Sequence, residues 1–153
     1  MRALFKRLVF MACLTLPLSG FAVAADGMVT VKSSHTVSLT ANKLVAVLKD
    51  KGMTVMDRIN HAANAKAAGL ELRPTELVIF GNPKVGTPLM HCARSVAIDL
   101  PQKALIWQDE SGQVWLAYND PMYLKQRHGI EGCDDVLEKI AGALKMFAAT
   151  ATE

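Results

Sequence analysis

The sequence predicts an α+β fold of two layers, a mainly antiparallel sheet with helices on one face. Three observations carry this. Short apolar runs and helical patterns follow one another in the order strand, helix, strand, strand, strand, strand, helix. Two of the strand patterns flank Asp109-Glu110-Ser111-Gly112, a turn sequence that marks an antiparallel hairpin. The last segment repeats Leu137, Ile140, Ala141, Leu144 and Phe147 at helical spacing, which gives a helix one apolar face to bury.

The elements follow in order. Residues 28–33 alternate at period two and read as the first strand. Ser38 is the expected cap of a helix carrying Ala41, Leu44, Val45 and Leu48, stopped by Gly52 after Lys49 and Lys51. Residues 53–59 read as a second strand, with Val55, Asp57 and Ile59 on one face and Thr54, Met56 and Arg58 on the other. The Ala-rich run from His61 to Gly69 reads as a short helix. Residues 76–80 are apolar on both faces, which predicts a central strand. Thr87 and Pro88 are expected as N-cap and first position of a helix reaching about Ala93. Residues 103–108 and 113–118 form the hairpin, with Trp107 and Trp115 on its opposite sides. A short helix over 121–127 and the final helix from Asp134 complete the chain.

Residues 1–25 stand apart. Arg2, Lys6 and Arg7 precede an apolar stretch from Leu8 to Leu18, and Ala22-Val23-Ala24-Ala25 offers small residues for cleavage. This reads as a secretory signal peptide, too short to span a bilayer, which needs about 20 apolar residues. It places the mature domain, residues 26–153, in the periplasm or outside the cell. The leader holds three of the seventeen Lys and Arg residues and none of the fourteen acidic ones, leaving fourteen of each sign. The mature chain is therefore neutral, and the basic character of the precursor is no argument for nucleic acid or an anionic membrane as partner. No repeat, low-complexity tract or linker divides it, so one domain with its own core is expected.

Four segments together resemble a known family: the run from His61 to Leu70, the loop Phe80-Gly81-Asn82-Pro83-Lys84 continuing to Met90, Asp99-Leu100-Pro101, and Tyr118-Asn119-Asp120-Pro121. They resemble the domain-of-unknown-function 302 family over nearly the whole mature chain. The resemblance implies a strand-helix-four strands-helix arrangement similar to that of the TATA-binding protein, often as a homodimer. It implies no settled activity, and likeness of fold would not transfer DNA binding.

The loop over residues 81–90 is the leading candidate site. Gly81 frees the backbone, Pro83 and Pro88 stiffen it, and amides after Thr87 are expected to face a carboxylate or phosphate, with Lys84 supplying charge. The same stretch also reads as a plain structural turn. Gly81 and Gly86 have four residues between them, as in a phosphate loop, but the Lys expected before Thr87 is missing, which argues against nucleotide binding. The expected ligand residues are Gly81, Asn82, Lys84, Gly86 and Thr87, joined by His61 and Tyr118. His61 as a helix-start residue and Asp120 as an N-cap before Pro121 are the plainer readings of those positions.

Met90, His91 and Cys92 invite a copper or redox alternative, with Cys133 as a further sulfur. Consecutive helix residues point about 100° apart, so the three cannot all face one ion, and no metal site or cofactor is expected. Cys92 and Cys133 admit three readings: a disulfide, two buried thiols, or one reactive thiol. No Gly-x-Ser-x-Gly elbow and no carboxylate pair with a partner His occurs, so catalysis has no support from motifs. The leading expectation is a periplasmic, non-enzymatic domain that binds a small ligand, anionic in one version, or a protein partner at the 81–90 loop.

Overall fold

A computed structural model of the chain describes residues 27–153 and, by backbone pairing alone, Ala22–Val23. The expected leader otherwise lies outside the described residues. The elements are β1 (Ala22–Val23), β2 (Met28–Ser33), α1 (Val37–Asp50), β3 (Thr54–Asn60), α2 (His61–Ala67), β4 (Thr75–Gly81) and α3 (Pro83–Cys92). A 3-10 helix (Arg94–Ile98), β5 (Gln102–Gln108), β6 (Val114–Asn119), α4 (Pro121–His128) and α5 (Asp134–Thr152) follow. The fold class is the one the sequence predicts: an antiparallel sheet in the order β1-β2-β6-β5-β4-β3 with the long helices α1 and α5 on one face.

The core lies between those layers. Leu44 and Leu48 of α1 and Leu137, Leu144 and Phe147 of α5 meet Val78, Phe80, Ala104, Ile106 and Leu116 of the sheet, and all are buried. Each large apolar side chain so buried contributes about 1.5–3 kcal/mol relative to exposure. Phe80 and Phe147 pack edge to face with ring centres 6.3 Å apart, joining the end of β4 to the C-terminal part of α5. Polar ties fix the ends: the buried Ser33 and Thr40 hydroxyls bond at 2.7 Å between β2 and α1, and the Ser34 amide donates to the Thr152 carbonyl at 3.0 Å.

Three local expectations are corrected. The α1 cap is Thr36, not Ser38, since its hydroxyl accepts the Leu39 amide at 3.3 Å. Strand β3 does not alternate simply. A bulge between Val55 and Asp57 sets Val55 opposite Phe80 but Asp57 opposite Ile79, so Arg58 faces the helix layer beside Val78. There its Nε donates to Glu76 at 2.6 Å and its other nitrogens reach Asn42 and the Ser38 carbonyl. The third correction, at α3, concerns the site.

Candidate functional site

Helix α3 begins at Pro83, with Asn82 as its N-cap, and Gly86, Thr87 and Pro88 lie inside it. The reason is local. Strand β4 ends at Gly81, Asn82 stays extended, and Pro83 supplies a preset helical angle at a position that needs no donor. Pro88 costs the helix one bond in its middle, where the local sequence pattern predicts a start. The consequence for an anion site is direct. The Lys84 amide donates to Asn82 Oδ1 at 2.9 Å, and the Val85 and Gly86 amides both donate to the Asn82 carbonyl at 2.9 Å. Pro83 has no amide to give, so the first turn is consumed by its own cap.

What α3 does instead is roof a cavity of about 340 Å³. Phe80 and Gln102, from neighbouring positions of β4 and β5, form its floor. Ile140, Ala143, Leu144 and Phe147 of α5 form one wall, and Pro83, Gly86, Thr87 and Met90 of α3 form the facing one. Ala97, Leu100 and Pro101 close a third side, with Met53 and Met56 opposite. Close packing does not demand glycine at either loop position: a Cβ on Gly81 would stand 3.4 Å from Met56 Cε and one on Gly86 3.7 Å from Leu100 Cδ1, both ordinary contacts.

The lining is apolar except at four side chains, Asn82, Thr87, Gln102 and Lys139. Asn82 is engaged in its cap, and Thr87 and Lys139 are exposed residues at the rim. Gln102 differs. It is 7% exposed, and its Nε2 is the one buried side-chain nitrogen or oxygen without a partner among the described residues.

The sequence-predicted residues divide accordingly. Gly81, Asn82, Gly86 and Thr87 line the cavity together, and Lys84 lies on the exposed outer side of α3. His61 does not join them: it opens α2 beyond Asn60, which pairs with Glu76, whereas Gly81 pairs with Thr54 at the other end of the same two strands. That separation is roughly 20 Å along the strand direction. Tyr118 is buried on the core face beside Ala104, two positions from Gln102's row and outside the lining. Burial, together with the negative charge of Asp120, pushes its hydroxyl above the ordinary tyrosine range.

Met90 lines the cavity, while His91 and Cys92 are exposed at the end of α3. Cys92 and Cys133 are joined in a disulfide, Cα atoms 6.4 Å apart, which pins the end of the roof helix to the start of α5. In this state neither sulfur is a thiolate ligand, and no group of three His, Cys, Asp or Glu that could hold a metal occurs among the described residues.

Two contributors escaped sequence reasoning. Gln102 gave no signal, being one polar residue at the start of a strand. The second is a hydrogen-bonded cluster behind the third wall: His128 Nε2 meets Asp99 Oδ2 at 2.6 Å, its Nδ1 meets Ser95 Oγ at 3.1 Å, and Arg127 Nε lies 3.5 Å from the same carboxylate oxygen. Ser95 is not part of the cavity lining, so these bonds hold the wall in place by tying it to the end of α4. Asp99-Leu100-Pro101 stood out in the sequence, but its His partner is 29 positions away.

The model of the family described as "Domain of unknown function DUF302" matches residues 29–147. The chain belongs to this family. A crystal structure of an uncharacterized conserved DUF302 protein from Bacillus stearothermophilus superposes with a TM-score of 0.66, covering 84% of this chain and 97% of that one. At 22% identity this likeness concerns the fold alone. Among curated proteins, Fluoride-specific ion channel FluC 1 of Brucella suis biovar 1 (strain 1330) is 49% identical over 118 residues, which are 77% of this chain and 46% of that protein. The channel of the same name from Brucella abortus biovar 1 (strain 9-941) is also 49% identical, with 44% of its length matched. This DUF302 chain thus spans less than half of the curated relatives it matches. No helix among its described residues is long and apolar enough to cross a membrane.

Proposed function

We propose that this DUF302 domain is an exported, non-enzymatic binding module whose ligand is a small molecule held in the cavity beneath α3. The observation that carries the reading is the cavity itself: about 340 Å³, at the lower end of the ~300–1,000 Å³ of small-molecule sites, apolar, and formed by the conspicuous loop of the sequence. Export is supported by the arrangement of residues 1–25 and by the Cys92–Cys133 disulfide, a bond that persists in oxidising compartments.

The test uses a small neutral fluorophore, 2-naphthol, titrated into the mature protein. Saturable binding is expected, and Ala143→Phe, which places a ring in the cavity from the half-buried middle of α5, should weaken it at least tenfold. Lys84→Ala should leave it unchanged. Loss of binding in Lys84→Ala with retention in Ala143→Phe would overturn the reading in favour of a site on the outside of α3.

A second reading has its own support. The matched relatives are named as fluoride-specific ion channels and devote over half their length to sequence outside the match. An ion channel needs membrane-spanning segments, and the matched half here has no helix suited to that. The module would then serve a membrane partner, and co-purification with a membrane fraction after mild crosslinking would test it. A copper role that uses Cys92 and Cys133 as thiolate ligands beside Met90 and His91 requires the disulfide to be reduced first, whereas a dithiol–disulfide redox role would start from it. A homodimer would use the sheet face turned away from α1 and α5, where Leu77, Leu105, Trp107 and Trp115 are half-buried, and a monomeric mass at working concentration would refute it.

A further inference from the structure

Resting on the cavity reading above, we infer that the ligand is a neutral, largely apolar molecule of roughly a dozen heavy atoms carrying one hydrogen-bond donor, a hydroxyl or ring N–H, which the side-chain oxygen of Gln102 accepts. Size follows from the cavity, about 340 Å³ at the ~30 Å³ that a water-sized group occupies in a liquid. Neutrality follows from the lining. It contains no carboxylate to meet a cation, its only charged side chain, Lys139, is exposed at the rim, and the first-turn amides of α3 are already bonded to Asn82. A charge of either sign carried to the floor would lose its hydration with no counter-charge to replace it.

The donor follows from Gln102. Its side chain lines the apolar space from the row it shares with Phe80, in a residue only 7% exposed. The two ends of its amide are placed differently. Nε2 is enclosed by protein and out of a ligand's reach, so Oε1, which keeps open surface and has no hydrogen bond among the described residues, is what the amide presents to the cavity. An amide oxygen can only accept. A hydrocarbon packed over it would leave it unmet, and a ketone would set a second acceptor against it. A hydroxyl or N–H meets it and lets the rest of the ligand bury its surface against Phe80, Met90, Leu100 and Phe147. Asn82 does not share this role, because its oxygen already accepts the Lys84 amide, and Thr87 stands at the rim, so the floor selects a single donor.

Four probes decide the matter by ligand-observed NMR on the mature, disulfide-intact protein: 4-butylphenol, butylbenzene, butyrophenone and 4-phenylbutyrate. At about pH 7 the phenol is neutral. An apolar cavity without an acceptor would hold the phenol roughly tenfold more weakly than the hydrocarbon, because the buried hydroxyl gives up its water for nothing. With Oε1 at the floor, 4-butylphenol should bind at least as tightly as butylbenzene and roughly tenfold more tightly than butyrophenone. Gln102→Met should weaken the phenol roughly tenfold and leave butylbenzene unchanged, while the unliganded variant melts at or above the wild-type temperature because an enclosed, unmet nitrogen has been removed. A phenol bound more weakly than butylbenzene by the wild type, a ketone bound as tightly as the phenol, or equal weakening of phenol and hydrocarbon in Gln102→Met would overturn the donor assignment and leave the cavity reading standing. Tightest binding of 4-phenylbutyrate, lost in Lys139→Ala, would overturn neutrality. Binding of none of the four would remove the cavity reading and this inference with it. Should Gln102→Met fail to fold, the ranking measured on the wild type decides alone.

Discussion

Replacing both cysteines, Cys92→Ser with Cys133→Ser, removes a bridge between residues 41 positions apart. The chain-entropy relation for a loop of that length gives a loss of about 4 kcal/mol at 25 °C. For the roughly 125 residues that unfold together, an unfolding entropy of ~2.1 cal/mol/K per residue converts this into a fall in Tm of about 15 °C. The bridge also has a place in the site, because it fastens the last residue of α3 to the residue before α5. Without it, α3 is held over the cavity by Leu89, which is fully buried, and by Asn82 at its start. Calorimetry of the variant, and of the wild type with and without reductant, measures the stability term. Hydrogen exchange of the α3 amides measures the loosening, and the intact mass reports the two hydrogens gained on reduction. A reduced wild type that melts within about 2 °C of the oxidised form would refute the entropic argument. Unchanged exchange in α3 would refute its role as a clamp.

Other outcomes follow from the polar contacts. Arg58→Met leaves the Glu76 carboxylate, 6% exposed, without its cation. The expected cost is about 2–3 kcal/mol, less than for a fully enclosed pair because the Arg58 side chain is about a third exposed, and chemical denaturation of Arg58→Met against Arg58→Met/Glu76→Leu should show most of it recovered in the double variant. Asp109 is lowered from 3.8 to about 2, first by the Ser111 hydroxyl and then by the Trp115 indole N–H, both bonded to its carboxylate. A folded-state value below the unfolded one means that the stabilisation is complete above about pH 4 and is lost as pH falls toward 2. Asp109→Asn should flatten that part of a Tm-against-pH curve, and an identical acid limb in both proteins would count against the assignment. At the alkaline end the raised Tyr118 hydroxyl has the opposite sign, its contribution being present below its ordinary value of 10.0 and fading above it, which Tyr118→Phe should abolish.

Much of this protein is legible along the chain. The period-two pattern of residues 28–33 became β2 without a shift, the Asp109-to-Gly112 turn produced the hairpin, and the apolar stripe from Leu137 to Phe147 became the buried face of α5. These succeed because burial against one layer selects a period, and a period can be read locally. The 81–90 loop also stood out, since Gly and Pro restrict a backbone wherever they occur. What that loop does is another matter. Local chemistry suggested free amides after Thr87, but the end of β4 at Gly81 and the cap at Asn82 started the helix earlier and used its donors.

Only tertiary structure decided the rest. That His61 is distant from the loop follows from strand register, which joins Asn60 to Glu76 and Thr54 to Gly81. That Cys92 and Cys133 lie within bridging reach follows from α3 returning over the end of α5, across 41 residues whose path no local rule specifies. The cavity under α3 is the sharpest case. Sequence by itself determined the layers, the order of the strands along the chain and which loop would be unusual, because those depend on neighbours within a few residues. The cavity depends on α3, α5 and two strands enclosing the same space, and enclosure is a property of distant segments brought together.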